Sequence, residues 1–194
     1  MKKTLLYMFC ALILCPAAAH AQQKEMSVGE AYKAIPHQRT QYDLKQSPLP
    51  QDTRKFLDHL FFVTDIALQK RMMMLLYFNR GQESFYLKTY DTEIGNLIGS
   101  FSLIETHDPA AQKIRDTIIL ALQQQRQFFD EWAQAKGTPK YDRIKNGGLV
   151  NQILVQSAHQ NLVRAYMMLK QAYPGETGHN QQAFYDHLCA LDFL

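Results

Sequence analysis

Residues 52–79 read DTRKFLDHLFFVTDIALQKRMMMLLYFN. Sixteen of these 28 positions are apolar, from Phe56 and Leu57 through Met72, Met73 and Met74 to Phe78. No glycine or proline interrupts the run, and its length exceeds that of any ordinary strand. The spacing predicts a helix over 52–79, capped by Asp52 or Thr53 and ended by Gly81. Asp58, Asp65 and Gln69 leave only a narrow polar stripe, widened by Lys70 and Arg71. A helix apolar on nearly every side is central in its fold or faces a partner.

Similar patterns follow downstream. A second helix is expected over 84–105, with Tyr86, Tyr90, Ile94, Leu97, Ile98, Phe101 and Ile104 on one face at three-to-four spacing. Gly95 and Gly99 are four apart on it and suit one close helix crossing. Asp108-Pro109 starts a third helix, reaching about Lys136, with aspartate as N-cap and proline in the first turn. Residues 138–148 form a loop with room for one helical turn. A fourth helix spans 149–173, with Val150, Ile153, Leu154, Leu162, Ala165, Met168 and Leu169 inward. A short fifth helix over 180–192 presents Phe184, Leu188 and Leu191. No segment alternates as a strand does. The pattern predicts an all-α protein, an antiparallel up-down four-helix bundle with an irregular N-terminal arm and the short fifth helix on its outside or across one end.

The first 21 residues have a different grammar. Lys2 and Lys3 precede an apolar run from Leu5 to Cys15, then Pro16 and small residues ending Ala19-His20-Ala21. This is the layout of a secretory signal peptide cut after Ala21, and the run is too short to span a bilayer. Leu14 before Cys15 argues against a lipidation site. Export to a periplasm is the expectation. Two of the 21 basic residues and none of the 18 acidic ones lie in this segment, so residues 22–194 are close to neutral. That balance gives no electrostatic case for nucleic acid. Membrane contact would come only through the uncleaved signal or a membrane-bound partner.

Three regions follow: the signal over 1–21, an extended arm with a short helix over 22–51, and a helical domain over 52–194. In the arm, Ser27 and Glu30 have capping-box spacing. His37, Arg39, Thr40, Tyr42 and Asp43 then concentrate hydrogen-bonding groups between Pro36 and Pro48. Arg39 suits a carboxylate or phosphate and His37 suits proton transfer. The same groups would serve equally to pin the arm to the helices.

The catalytic and cofactor signatures searched for are absent: no Cys-x-x-Cys, no His-Glu-x-x-His, no Gly-x-Ser-x-Gly and no glycine-rich phosphate loop. One Glu-x-x-His, Glu176 to His179, contains Gly178 and lacks the second motif a di-metal bundle requires. Three successive helical methionines point about 100° apart and cannot converge on one ion. Met72, Met73 and Met74 are therefore expected as packing or as a pliable partner surface. The six histidines after the signal are scattered, with no helical i, i+4 pair. Ser157 and Asn161 share the inward face of the fourth helix and need buried partners, for which Asp65 and Arg71 are candidates. Cys189 is left without an internal disulfide partner. It suits a small packing residue, an intermolecular disulfide or a reactive thiol. No catalytic residue and no metal site is assigned, and no motif supports a cofactor. The sequence reads as an exported, non-catalytic bundle that binds a protein partner, an envelope complex or itself. The alternative is a bundle holding non-covalent haem, a metal ion or a small ligand between helices, for example with Met74 and His159.

Overall fold

The computed structural model describes residues 39–192 together with Ser27, Gly29, Glu30 and Lys33. The signal segment, His37 and much of the arm's first part lie outside the described residues. Among the described residues there are six α-helices and no strand. They are α1 (Gln51–Asn79), α2 (Leu87–Ser102), α3 (Pro109–Gln134), α4 (Pro139–Lys145), α5 (Ile153–Ala172) and α6 (Gly178–Leu191). None of them is long and apolar enough to cross a membrane.

Local chemistry sets the boundaries. Neither Asp52 nor Thr53 caps α1; Pro50 occupies the N-cap, and its carbonyl accepts from the Arg54 amide at 3.0 Å. The extended Ser47–Pro50 entry replaces a side-chain cap, because proline already holds its φ near the required value. At the other end Gly81 adopts φ +69°. That lets the Gln82 amide reach Tyr77 O at 2.9 Å and the Gly81 amide reach Phe78 O at 3.0 Å, a Schellman closure.

The second helix is shorter than expected. A 3₁₀ turn (Glu83–Phe85) precedes α2, which stops at Ser102. Ser100 and Ser102 turn their hydroxyls onto the carbonyls of Leu97 and Gly99, as serines do where a helix frays. Asp108 caps α3 as anticipated, accepting from the Ala110 amide at 2.8 Å. The expected loop over 138–148 instead contains α4. Thr138 is its cap, Pro139 fills its first position, and Asp142, Arg143 and Lys145 complement its dipole. The fourth long helix starts later than expected. Leu149 and Val150 are buried yet precede α5, and Ile153, expected inward, is its first residue and 80% exposed.

The core joins all six elements. Phe78 of α1 stacks on Trp132 of α3 at 3.8 Å, with Tyr90, Phe129 and Tyr141 around them. The Trp132 indole N–H donates to Tyr141 O at 3.3 Å, so the largest buried ring keeps its polar atom satisfied. Of the two glycines on α2, Gly95 faces the Arg126 guanidinium, which would lie 3.3 Å from an added Cβ, and Gly99 faces open space. They make room for one arginine rather than for a backbone crossing. The last helix is not an outer appendage. It packs against both α1 and α5 and buries Phe184, His187, Leu188 and Leu191.

Candidate functional site

Of the arm residues named from sequence, Arg39, Thr40, Tyr42 and Asp43 are brought to one place, and their polar groups bond to the protein itself. Arg39 donates to Asp65 of α1 from Nε at 3.2 Å and from Nη2 at 2.8 Å. The Thr40 amide donates to Asp186 at 2.9 Å, and its carbonyl lies 3.1 Å from His187 Nε2. The Tyr42 hydroxyl donates to Glu176 at 2.8 Å. The Asp43 amide donates to Asn180 Oδ1, and Asn180 Nδ2 returns a bond to Asp43 O. Beneath the polar contacts, Tyr42 stacks on Phe61 at 5.1 Å. Ser27 and Glu30 make the reciprocal bonds of a capping box.

Glu176, taken from sequence as half of a weak metal motif, is the buried anchor of this arrangement. Its carboxylate accepts from Tyr42, from Ser47 at 2.5 Å and from Asn180 at 2.9 Å. Burial pushes the Tyr42 hydroxyl well above the usual tyrosine range, and the adjacent carboxylate keeps it a donor. Its motif partner His179 faces Gln41 O at 2.8 Å instead of a metal position. Among the described residues no three His, Cys, Asp or Glu side chains converge to hold a metal ion.

The methionine run fans out as helical geometry requires. Met74 is wholly buried in the core, Met72 is half-buried and Met73 is exposed, so the three do not share a surface. Nor does Arg71 join Ser157 and Asn161, whose own partner is Gln124 at 2.9 Å. Arg71 is fully buried and donates to Leu191 O at 2.5 Å and Ala190 O at 2.6 Å, while Gln125 donates to Leu191 O at 2.8 Å. These are the last carbonyls of α6, which lack partners within their own helix. Burial lowers the Arg71 pKa to about 10, opposed by the Asp192 carboxylate, and the group stays charged at neutral pH.

A different surface stands out on geometry. Between α5 and α6 runs a half-open groove of roughly 200 Å³, walled by Leu162, Val163, Tyr166, Tyr185 and Leu188. At one end His159 Nδ1 meets Asp192 Oδ2 at 2.5 Å. At the other, Tyr166 and Tyr185 meet edge to face at 5.7 Å, with the Lys170 ammonium 5.6 Å from the Tyr166 ring. Cys189 lies exposed in the groove, which it lines together with Tyr185. On these two helices Val163, Met167 and Tyr185 are 45%, 48% and 49% exposed. The sequence carried a signal for this face. Val163 and Met167 form an i, i+4 pair outside the inward stripe of α5, and Tyr185 and Cys189 form another on α6. Comparison with protein-family models, with curated proteins and with solved structures found no match to this chain.

Proposed function

We propose that this is an exported, non-catalytic helical-bundle protein that acts in the periplasm by binding. The α5–α6 groove is the contact face and an amphipathic helix of a partner protein is its occupant. One observation carries the reading: two adjacent helices each present an exposed i, i+4 apolar pair beside a shared groove. That is the arrangement into which a third helix lays its apolar side. Tyr185 and Tyr166 supply large contact area at low conformational cost, and His159–Asp192 supplies a polar rim. The bundle itself is read as antiparallel and up-down in α1, α2, α3 and α5. Pairs such as Phe56–Phe101 with Tyr77–Tyr86, and Gln124–Asn161 with Asp108–Tyr173, support that order, since their numbers run in opposite senses. The signal-peptide layout of residues 1–21 supports export, and an amino terminus at Gln22 on protein recovered from the periplasm is the direct check.

The test is gentle purification of tagged protein from its native envelope, followed by native mass spectrometry. A co-purified protein or second copy is expected with the wild type and with the distant Met73→Glu variant. Val163→Glu should lose it while melting at the wild-type temperature, because a charge at an exposed position desolvates only on binding. Identical behaviour of wild type and Val163→Glu sinks the groove as the contact face. A retained mass of a few hundred daltons would favour a small apolar ligand, which the size of the groove also admits.

A further inference from the structure

Charge is divided between the two ends of the helices. Residues 80–88 and 134–153 gather at one end. There Lys136 reaches Gly81 O at 3.1 Å and Glu83 at 2.6 Å, and the Tyr141 hydroxyl donates to Glu83 at 2.9 Å. A groove of roughly 240 Å³ sets Lys140 beside Ile153 at the same end, with Glu131 on its border. These two segments hold six Lys and Arg against two acids, Glu83 and Asp142. Glu83 is buried and paired with Lys136. That leaves Arg80, Lys88, Lys140, Arg143 and Lys145, none of them ion-paired among the described residues, against one exposed Asp142. Segments 43–55, 102–110 and 172–181 meet at the opposite end through Ser47–Glu176 and Tyr173–Asp108. They hold five acids against three bases.

The basic end also inverts the usual sorting of side chains. In the 3₁₀ turn Glu83 is buried while Phe85 is 78% exposed, and Ile153 at the start of α5 is 80% exposed. The short helix α4 joins the two sites, reaching Glu83 through Tyr141 and the Ile153 groove through Lys140. It buries Tyr141 and Ile144 and leaves Lys140 and Arg143 in solvent. Leu103, at the opposite end, is equally exposed but lies in the segment that holds Glu105 and Asp108. Exposed phenyl and aliphatic groups among unpaired cations match an anionic lipid surface, where headgroups take the charge and the acyl boundary takes the apolar groups. Nucleic acid would use the charge but offer Phe85 and Ile153 no apolar medium. We propose that this end of the molecule docks on an anionic phospholipid surface, with Phe85 and Ile153 entering it and Arg80, Lys88, Lys140 and Arg143 facing its headgroups. The bonds of Glu83 with Tyr141 and Lys136 hold the platform ready, so docking orders little of the chain. The contact is direct, unlike the partner-borne membrane contact expected from sequence. It uses no residue of the α5–α6 groove and holds or fails apart from the protein partner proposed there.

The experiment is co-sedimentation with vesicles at low ionic strength, using protein recovered from its host, wild type and variants sharing one amino terminus. The wild type should bind vesicles of equal parts phosphatidylglycerol and phosphatidylcholine, ignore pure phosphatidylcholine, and come off as salt shortens the screening length. Lys140→Glu combined with Arg143→Glu should lower partitioning about 25-fold or more, since each basic residue at such a surface is worth about fivefold. Phe85→Ser should lower it about tenfold, and Leu103→Ser at the opposite end should leave it unchanged. A wild type that binds both kinds of vesicle alike, or neither, overturns the proposal, as does a double reversal that binds like the wild type. Binding to duplex DNA as tight as to the mixed vesicles, with Phe85→Ser matching the wild type on both, would show a general polyanion surface and also overturn it. Should the double reversal fail to fold, the wild-type dependence on phosphatidylglycerol and salt decides, together with Phe85→Ser.

Discussion

Arg71 shows how one side chain fixes the position of a whole helix. A guanidinium is the only side chain that can present two parallel donors to two adjacent carbonyls while remaining charged at this depth. Removing it leaves the carbonyls of Ala190 and Leu191 short of partners in a dry interior, although Gln125 still serves one of them. Arg71→Met, similar in length and apolar, should cost about 3 kcal/mol in urea denaturation, and Arg71→Lys roughly half of that. A loss below about 1 kcal/mol would show that α6 finds its seat through apolar contacts alone. The sequence displayed Arg71 as an anomaly on an apolar helix but could not name its partner. Backbone carbonyls have no letter code, and the pair is 120 residues apart.

At the scale of the element, periodicity carried most of the information. The long runs of α1, α3 and α5 were legible because their apolar spacing repeats over several turns, and the Asp108-Pro109 start was legible because its chemistry is local. The ends of α2 and the start of α5 were not. There, serine hydroxyls and the buried but non-helical Leu149 and Val150 compete with periodicity, and the winner depends on tertiary packing. The glycines of α2 allow a sharp comparison. Gly99 has nothing within 4 Å of an added Cβ, so Gly99→Ala should stabilise by about 0.5–1 kcal/mol through helix propensity alone. Gly95→Ala should gain less, because the Arg126 guanidinium, ion-paired with Asp91, must first shift. Paired thermal melts of the two variants check this. An equal gain at both sites would mean that Arg126 yields freely. The arm was half legible: its polar residues marked it as special, but composition alone does not separate a pinned strap from a site.

Across the whole molecule, hydrogen bonds and charges overcome burial at Asp65, Asp186 and Glu83, whereas at Asp130 burial and the Asp91 carboxylate win and raise its pKa. Burial alone would raise Asp65, but His187 and Arg39 hold it below the usual carboxylate range. Thr40 and Gln182 overcome burial at Asp186 in the same way, as do Lys136 and Tyr141 at Glu83. A carboxyl with a lower pKa folded than unfolded adds stability above its unfolded value, lost as pH falls through the folded one. These carboxylates should therefore make the urea midpoint drop below about pH 4. Asp65→Asn should flatten part of that acid limb, and an unchanged limb would show that Asp65 titrates alike in both states.

The contacts that close this structure join residues 119 to 147 positions apart, linking Arg71 to Ala190 and Leu191 and the arm to Asp186 and His187. Assembly therefore cannot finish from the amino-terminal end alone; such distant contacts form late and slow the search for the native state. Until its final helix has been synthesised, the chain has no lid for the buried arginine and no dock for the arm. A nascent polypeptide in that condition leaves apolar surface open to chaperones and proteases, and the same late step that completes the fold also ends that exposure.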